Sequence, residues 1–104
     1  MQSFSQQRSL DEIKEQLRAL KPTLRKRFSV ETIDIFGSYA RNEANQRSDL
    51  DLLVTYCTKD YSLFTIIDLK NYLRRKLRLK VDIVSKEFLN KHIKDEVLKE
   101  AIPV

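Results

Sequence analysis

Apolar residues recur at helical spacing in three stretches of the chain, and short apolar runs lie between them. At the start of the first stretch, Ser9 and Glu12 have the spacing of a capping box. The apolar positions that follow predict a helix from about residue 10 to residue 27. Pro22 has no backbone N–H to donate, so we expect it to break or kink this helix near Lys21.

The second half of the chain predicts two further helices. One runs from Ser62 to about Leu77, and five residues supply its expected apolar face: Leu63, Ile66, Ile67, Leu73 and Leu77. The other runs from residue 86 to about residue 100, with Ser85 as its cap and Pro103 at its end. This last segment has more apolar residues than one face of a short helix needs, so part of that surface is expected to lie exposed.

Three short apolar runs predict strands, at residues 30–36, 50–54 and 79–84. Between the first two, a short helix is expected from Ser38 to about Glu43. Helices alternate with strands, and one connection between strands is short and tight. This alternation predicts an α+β fold in which a small mixed β-sheet is packed with helices.

Length and composition limit the class of protein. With 104 residues, 41% of them hydrophobic, the chain is expected to form one domain spanning residues 1–104. The apolar runs are far too short to span a membrane, so no membrane association is expected. The first eight residues have no apolar core of a signal peptide. The single Cys57, interpreted as a small buried hydrophobe, excludes an internal disulfide and fits the cytoplasm.

The chain is basic, with twenty Lys and Arg against fifteen Asp and Glu and a net charge of +5. This charge favours nucleotide phosphates, nucleic acid or an acidic partner, but a solvated basic surface explains it equally well. The same two interpretations apply to the basic run from Lys70 to Lys80. A solvated helix end is the simpler one, and a surface for RNA or an acidic protein is the alternative.

Candidate chemistry begins with two carboxylates that lie one residue apart, Asp49 and Asp51. On a strand they point to one face, where they repel each other unless a cation lies between them. Mg²⁺ prefers such oxygen ligands together with the phosphates of a substrate. Gly37, the only glycine of the sequence, stands beside Ser38 directly after the first strand. We expect a sharp turn there that approaches a phosphate closely.

A third carboxylate, Asp82, is the one polar residue of the run Val81-Asp82-Ile83-Val84 in the third strand. A lone buried charge is costly, so Asp82 is expected to share metal ions with Asp49 and Asp51. The alternative is an acid on an edge strand that faces water. Three aspartates, two metal ions and a Gly-Ser turn suit in-line nucleotidyl transfer.

Three blocks of sequence resemble the nucleotidyltransferase (polymerase-beta-like) superfamily, and above all its minimal branch, the MNT antitoxins. The blocks are residues 35–41 (Ile-Phe-Gly-Ser-Tyr-Ala-Arg), 48–54 (Ser-Asp-Leu-Asp-Leu-Leu-Val) and 81–84 (Val-Asp-Ile-Val). They occur in the family's order. Asn42 stands where many members have glycine, and because asparagine tolerates left-handed geometry we expect the loop to keep its course.

The resemblance implies a magnesium-dependent enzyme that moves AMP from ATP onto a hydroxyl group and releases pyrophosphate. It implies that three catalytic residues bind two Mg²⁺ ions: Asp49, Asp51 and Asp82. It implies that four residues contact the nucleotide: Gly37, Ser38, Arg41 and Ser48. Arg41 and Arg47 could instead be solvated, as arginines of polar loops usually are.

The resemblance also implies a partner, since minimal members commonly pair with a HEPN-family RNase toxin and adenylylate it, often on tyrosine. A hetero-oligomer with that toxin is therefore expected. Two alternatives stay open from the sequence. One is transfer to a small molecule such as an aminoglycoside, or to an RNA end. The other is a non-catalytic module that neutralises a toxin by binding alone.

Overall fold

A four-stranded mixed sheet organises residues 9–104, which are the residues that this computed structural model describes. Its strands are β1 (Val30–Phe36), β2 (Leu50–Tyr56), β3 (Val81–Ser85) and β4 (Ile102–Pro103), in the order β3-β2-β1-β4. β1 is antiparallel to β2 and β4, whereas β2 is parallel to β3. The predicted α+β class with a small mixed sheet is confirmed.

Three α-helices accompany the sheet: α1 (Leu10–Phe28), α2 (Leu63–Leu77) and α3 (Lys91–Glu100). The predicted capping box of α1 is present, because Ser9 Oγ accepts a hydrogen bond from Glu12 N and the Glu12 side chain accepts one from Ser9 N. Pro22 lies inside α1 and does not break it. Burial of Leu17 and Leu24 on either side of Pro22 offsets the lost hydrogen bond.

The core lies where α1 and α2 cover one face of the sheet. Alternate residues of β1 and β2 are buried in it, among them Ile33, Ile35, Leu50, Leu52 and Val54. Residues of both helices complete it, including Ile13, Leu17, Leu24, Leu69 and Leu73. Because the side chains of a strand alternate between its two faces, Asp51 and Leu53 of β2 lie on the face opposite this core.

The expected apolar face of α2 is wrong in its first half. Leu63 and Ile67 are 69% and 44% exposed, while the fully buried residues Leu69, Leu73 and Leu77 lie further along the helix. The buried positions begin at Leu69, and nothing within residues 9–104 covers Leu63 and Ile67, whereas Ile66 is half-buried. Cys57 is also exposed rather than buried, because it follows the end of β2.

The predicted helix over residues 86–100 is interrupted. A short 3₁₀ helix (Lys86–Phe88) comes first, and α3 begins only at Lys91. The Asn90 side chain accepts a hydrogen bond from His92 N at 2.9 Å and so caps a new helix. Ser85 makes no side-chain cap and is instead the last residue of β3.

The predicted helix from Ser38 to Glu43 is a turn. Arg41 N donates to Gly37 O at 3.1 Å, but Glu43 N donates to Ser38 O at 2.8 Å, which is not a repeating helical pattern. Gly37 and Asn42 have positive φ values of 75° and 60°. Left-handed residues at both ends prevent a right-handed helix from extending. The expected left-handed tolerance of Asn42 is confirmed.

The sequence did not reveal β4. Ile102 pairs with Ile35, and Val104 N donates to Ile33 O at 3.0 Å. Pro103 is compatible with this position because β4 is an edge strand, where a missing N–H is tolerated. α3 therefore ends before Ala101, and the chain then joins the sheet.

None of the helices formed by residues 9–104 is long and apolar enough to cross a membrane. The predicted absence of a signal peptide concerns residues 1–8, which lie outside the described residues.

We expect Arg78→Gly to stabilise the protein. Arg78 ends α2 with a φ of 56°, a left-handed conformation in which a Cβ atom is unfavourable and glycine is preferred. The free energy of unfolding should rise by about 0.5–1 kcal/mol, measurable by chemical denaturation. Arg78→Ala removes the same charge but keeps the Cβ atom, so it should give no such gain. Equal stabilisation by both variants would contradict this explanation.

Candidate active site

The pairing of three strands places two of the predicted aspartates side by side. Phe36 of β1 is opposite Asp51 of β2, and Asp51 is opposite Asp82 of β3. Directly paired residues share a face of the sheet. Asp49 lies just before β2, two residues from Asp51. The candidate carboxylates therefore meet at the end of β1, on the face away from the main core.

Asp51 is the least exposed of the three aspartates, and its surroundings shift its pKa. Burial raises the pKa of its carboxyl above the ordinary value, and the nearby charges of Asp82 and then Asp49 raise it further, while Arg41 acts in the opposite direction. Asp82 is more open: its side chain is 53% exposed and lies 3.8 Å from Lys70 Nζ. An ion pair as exposed as this contributes little to stability. Asp82 is thus exposed, as the alternative interpretation of an acid on an edge strand predicts. Its charge nevertheless acts on Asp51.

Gly37 is packed directly against Asp51. A Cβ atom added to Gly37 would lie 2.2 Å from Asp51 Oδ2 and 3.1 Å from Asp51 Cγ. The φ of 75° independently disfavours any other residue. Both the backbone conformation and the close approach to the carboxylate explain why the only glycine of the chain is here. The turn and the carboxylate therefore form one packed unit.

Glu100 joins this unit, and sequence reasoning missed it. Its Oε1 accepts a hydrogen bond from Gly37 N at 3.1 Å, and both of its oxygens accept from Arg41 Nη1 at 3.2 Å. Arg41 Nε also donates to Glu43 at 2.9 Å. The hydrogen bonds of Glu43 and then Glu100 raise the pKa of Arg41. No local pattern reveals Glu100, because 63 residues separate it from Gly37.

The remaining predicted residues lie in the loops on either side of Arg41. Ser38 is half-buried within the turn, directly after Gly37. Ser48 closes the next loop, since its hydroxyl accepts from Asn45 N at 2.9 Å and its N–H donates to Asn45 O at 3.0 Å. Arg47 is exposed, and its backbone N–H donates to the Asn45 side chain. The structure thus groups Gly37, Ser38 and Arg41 with Asp51, whereas the contacts of Ser48 are with its own loop.

The carboxylates fit Mg²⁺ that arrives with a nucleotide rather than a preformed metal cage. Within residues 9–104, no group of three or more His, Cys, Asp or Glu side chains is arranged to hold a metal ion. Mg²⁺ commonly uses only one or two carboxylates and completes its shell with water and substrate phosphates. Burial and then the nearby charges of Asp82 and Asp49 raise the pKa of Asp51, and a cation between these carboxylates would relieve their repulsion.

We expect Asp51→Asn to stabilise the metal-free protein near neutral pH. The folded-state pKa of Asp51 is raised, so between its unfolded and folded pKa values the folded state binds more protons. Stability from this group is therefore gained as the pH falls through the folded pKa, and Asp51→Asn should lack that gain. Thermal melts in chelator at several pH values measure both effects. The control is Asp60→Asn, which changes an aspartate beyond the other end of β2. If Asp51→Asn were instead less stable than the wild type, repulsion at Asp51 would be contradicted.

Gly37→Ala should destabilise the protein by about 1–3 kcal/mol, because it adds backbone strain and a clash with the Asp51 carboxylate. In the Asp51→Ala background the clashing Oδ2 and Cγ atoms are absent, so the same substitution should cost less. Chemical denaturation of the two single variants and the double variant measures this coupling. Additive effects would mean that the turn can move away from Asp51 without cost.

Comparison with known proteins agrees with this arrangement. The family model described as "Polymerase beta, Nucleotidyltransferase" matches residues 18–104. The protein adenylyltransferase MntA of Thermococcus cleftensis is 44% identical over 96 residues, which are 92% of this chain and 96% of that protein. A solved structure assigned to the minimal nucleotidyltransferases is 36% identical with a TM-score of 0.79, and the match covers 93% of this chain and 97% of that one.

A more distant match shows the same fold. It is a chain in the solved complex of a tri-AMPylated HEPN toxin from Shewanella oneidensis with an MNT antitoxin. The identity is 20% and the TM-score 0.57, over 90% of this chain and 66% of that chain. The family match covers most of the described residues, and the matched relatives are similar over nearly their whole length. The chain therefore belongs to the polymerase beta nucleotidyltransferase family of enzymes, in the minimal branch that includes protein adenylyltransferases.

Proposed function

We propose that this protein transfers AMP from ATP onto a hydroxyl group, in particular a tyrosine, of a cognate HEPN-family toxin and so acts as its antitoxin. The observation that carries the proposal is the packing of the Gly37 turn against Asp51, which stands in register with Asp82. A phosphate-binding turn and a set of carboxylates are the two parts that nucleotidyl transfer requires. The name of the Thermococcus relative gives the same reaction class.

Each residue of the site has a proposed role. Asp49 and Asp51 bind Mg²⁺ together with the triphosphate, and Asp82 acts near the acceptor hydroxyl, as a ligand or as the group that takes its proton. Two bound Mg²⁺ ions supply neutralisation of the developing phosphate charge. The Ser38 hydroxyl and the backbone N–H groups of the turn receive phosphate oxygens, and Arg41 adds positive charge.

The acceptor is proposed to come from the partner protein. All the described elements build one sheet with its helices, and none forms a separate unit for an acceptor; we propose residues 1–104 as a single minimal domain. The predicted exposed apolar surface of the C-terminal segment is present, since Phe88, Ile93 and Leu98 are 72%, 53% and 36% exposed. Such surfaces commonly mark interfaces. This supports a hetero-oligomer with the toxin.

The proposal is tested with the purified chain, its cognate HEPN-family protein, Mg²⁺ and ATP labelled at the α-phosphate. Intact mass spectrometry should find one or more adenylates on the partner, and peptide mapping should place them on tyrosine. Asp51→Asn and Asp49→Asn should lose at least about a hundredfold of the transfer rate, the scale expected when a group stabilising the transition state is removed. The matched control, Asp60→Asn, should transfer normally.

The other outcomes separate the alternatives. A stable complex without any added mass would favour the binding-only antitoxin. Label on a small molecule or an RNA end, with none on the protein, would favour a transferase of another class. Near wild-type transfer by Asp51→Asn would show that the Asp51 carboxylate is not part of the active site.

A further inference from the structure

One carboxylate is already bound to the turn proposed to receive the triphosphate. Glu100 accepts from the backbone N–H of Gly37 at 3.1 Å and from Arg41 Nη1 with both oxygens at 3.2 Å. These contacts bridge the first residue of the turn and a residue near its end. A single side chain therefore fixes the turn at two points.

The backbone around Glu100 is fixed as well. Glu100 is the last residue of α3, and β4 follows two residues later and pairs with β1 at Ile35. The chain end is held by Lys21 Nζ, which donates to Val104 O at 2.9 Å. The Glu100 side chain is only 29% exposed. The backbone that follows Glu100 is thus held in place by the sheet and by Lys21.

These contacts leave other donors of the turn available. In the part of the chain that the structure describes, the N–H groups of Ser38 and Tyr39 donate no backbone hydrogen bond. Arg41 uses Nε for Glu43 and Nη1 for Glu100, and within residues 9–104 its Nη2 makes no hydrogen bond. A guanidinium has five N–H donors, so an Arg41 oriented by two carboxylates can still bind a phosphate.

We propose that Glu100 is a positioning residue for nucleotide binding: it holds the Gly37 peptide and the Arg41 guanidinium in the arrangement that receives the triphosphate. The inference rests on the proposed function and adds a residue from the far end of the chain to that site. A carboxylate that merely occupied the phosphate position would have to leave when ATP binds. The three hydrogen bonds of Glu100 to Gly37 and Arg41 oppose such a movement, because its departure would break all of them at once.

The test compares Glu100→Ala and Glu100→Gln with the control Glu96→Gln, which changes an exposed glutamate one helical turn earlier on α3. Two kinds of measurement are made on each variant. The first is the KM for ATP and the kcat of transfer to the cognate HEPN-family protein. The second is the affinity for a non-hydrolysable ATP analogue with Mg²⁺, measured by direct titration below the melting temperature of the variant.

For Glu100→Ala we expect the KM for ATP and the analogue Kd to rise about tenfold, the scale of one lost charge-assisted hydrogen bond, with kcat changed much less. Glu100→Gln should recover part of the affinity, because its amide oxygen still accepts from Gly37 N. Glu96→Gln should match the wild type. Adding Glu100→Ala to Arg41→Ala should cost less than it does alone, because the contact through Arg41 is already lost.

Four results would overturn the inference. Unchanged KM and analogue affinity, with a lowered melting temperature, would reduce Glu100 to a structural residue. Tighter nucleotide binding in Glu100→Ala would mean that the carboxylate competes with phosphate. A wild type that neither binds the analogue nor transfers AMP would overturn the proposed function, and this inference with it. An active wild type with an unaffected Glu100→Ala variant would overturn the role of Glu100 alone.

Discussion

The pairing register of β1, β2 and β3 is the constraint on which the rest of the site depends. It sets Phe36, Asp51 and Asp82 opposite one another and brings the Gly37 turn onto Asp51. Side chains of a strand alternate between faces, so a slip of one residue would exchange Asp51 with a core residue such as Leu52. Complete burial of Leu50, Leu52 and Val54 opposes that slip. Hydrophobic packing on one face of β2 thus fixes the position of a carboxylate on the other.

The same register concentrates negative charge in the folded protein. Asp51 is partly desolvated and surrounded by Asp82 and Asp49, and the Glu100 carboxylate adds a further repulsion. Arg41 opposes the rise in the pKa of Asp51, and Lys70 Nζ lies 3.8 Å from Asp82. The Arg41 guanidinium is also bound by Glu100 and Glu43. Sites organised for a ligand commonly reduce the stability of the free protein. Repulsion among these carboxylates would provide part of the driving force for the proposed binding of a cation.

The sequence predicted the elements whose signal is local. Periodic apolar positions located α1 and the first three strands, and the spacing of Gly37, Asp51 and Asp82 located the carboxylates and the turn. The failures have physical causes. Periodicity indicates that α2 is amphipathic but not which half is covered, β4 is too short to show a pattern, and the Asn90 cap competes with a continuous helix. Glu100 reaches Gly37 only through the tertiary fold.

We propose that one bound metal–nucleotide complex lies between the Gly37 turn and the carboxylates of β2 and β3. Mn²⁺ can replace Mg²⁺ at oxygen ligands and broadens the NMR signals of nearby amides. In isotopically labelled protein with a non-hydrolysable ATP analogue, sub-stoichiometric Mn²⁺ should first broaden the amides of residues 37–39, 49–52 and 82. The amides near the acidic first turn of α1, at Asp11 and Glu12, should remain sharp. Broadening centred on α1, or spread evenly over the surface, would contradict the claim.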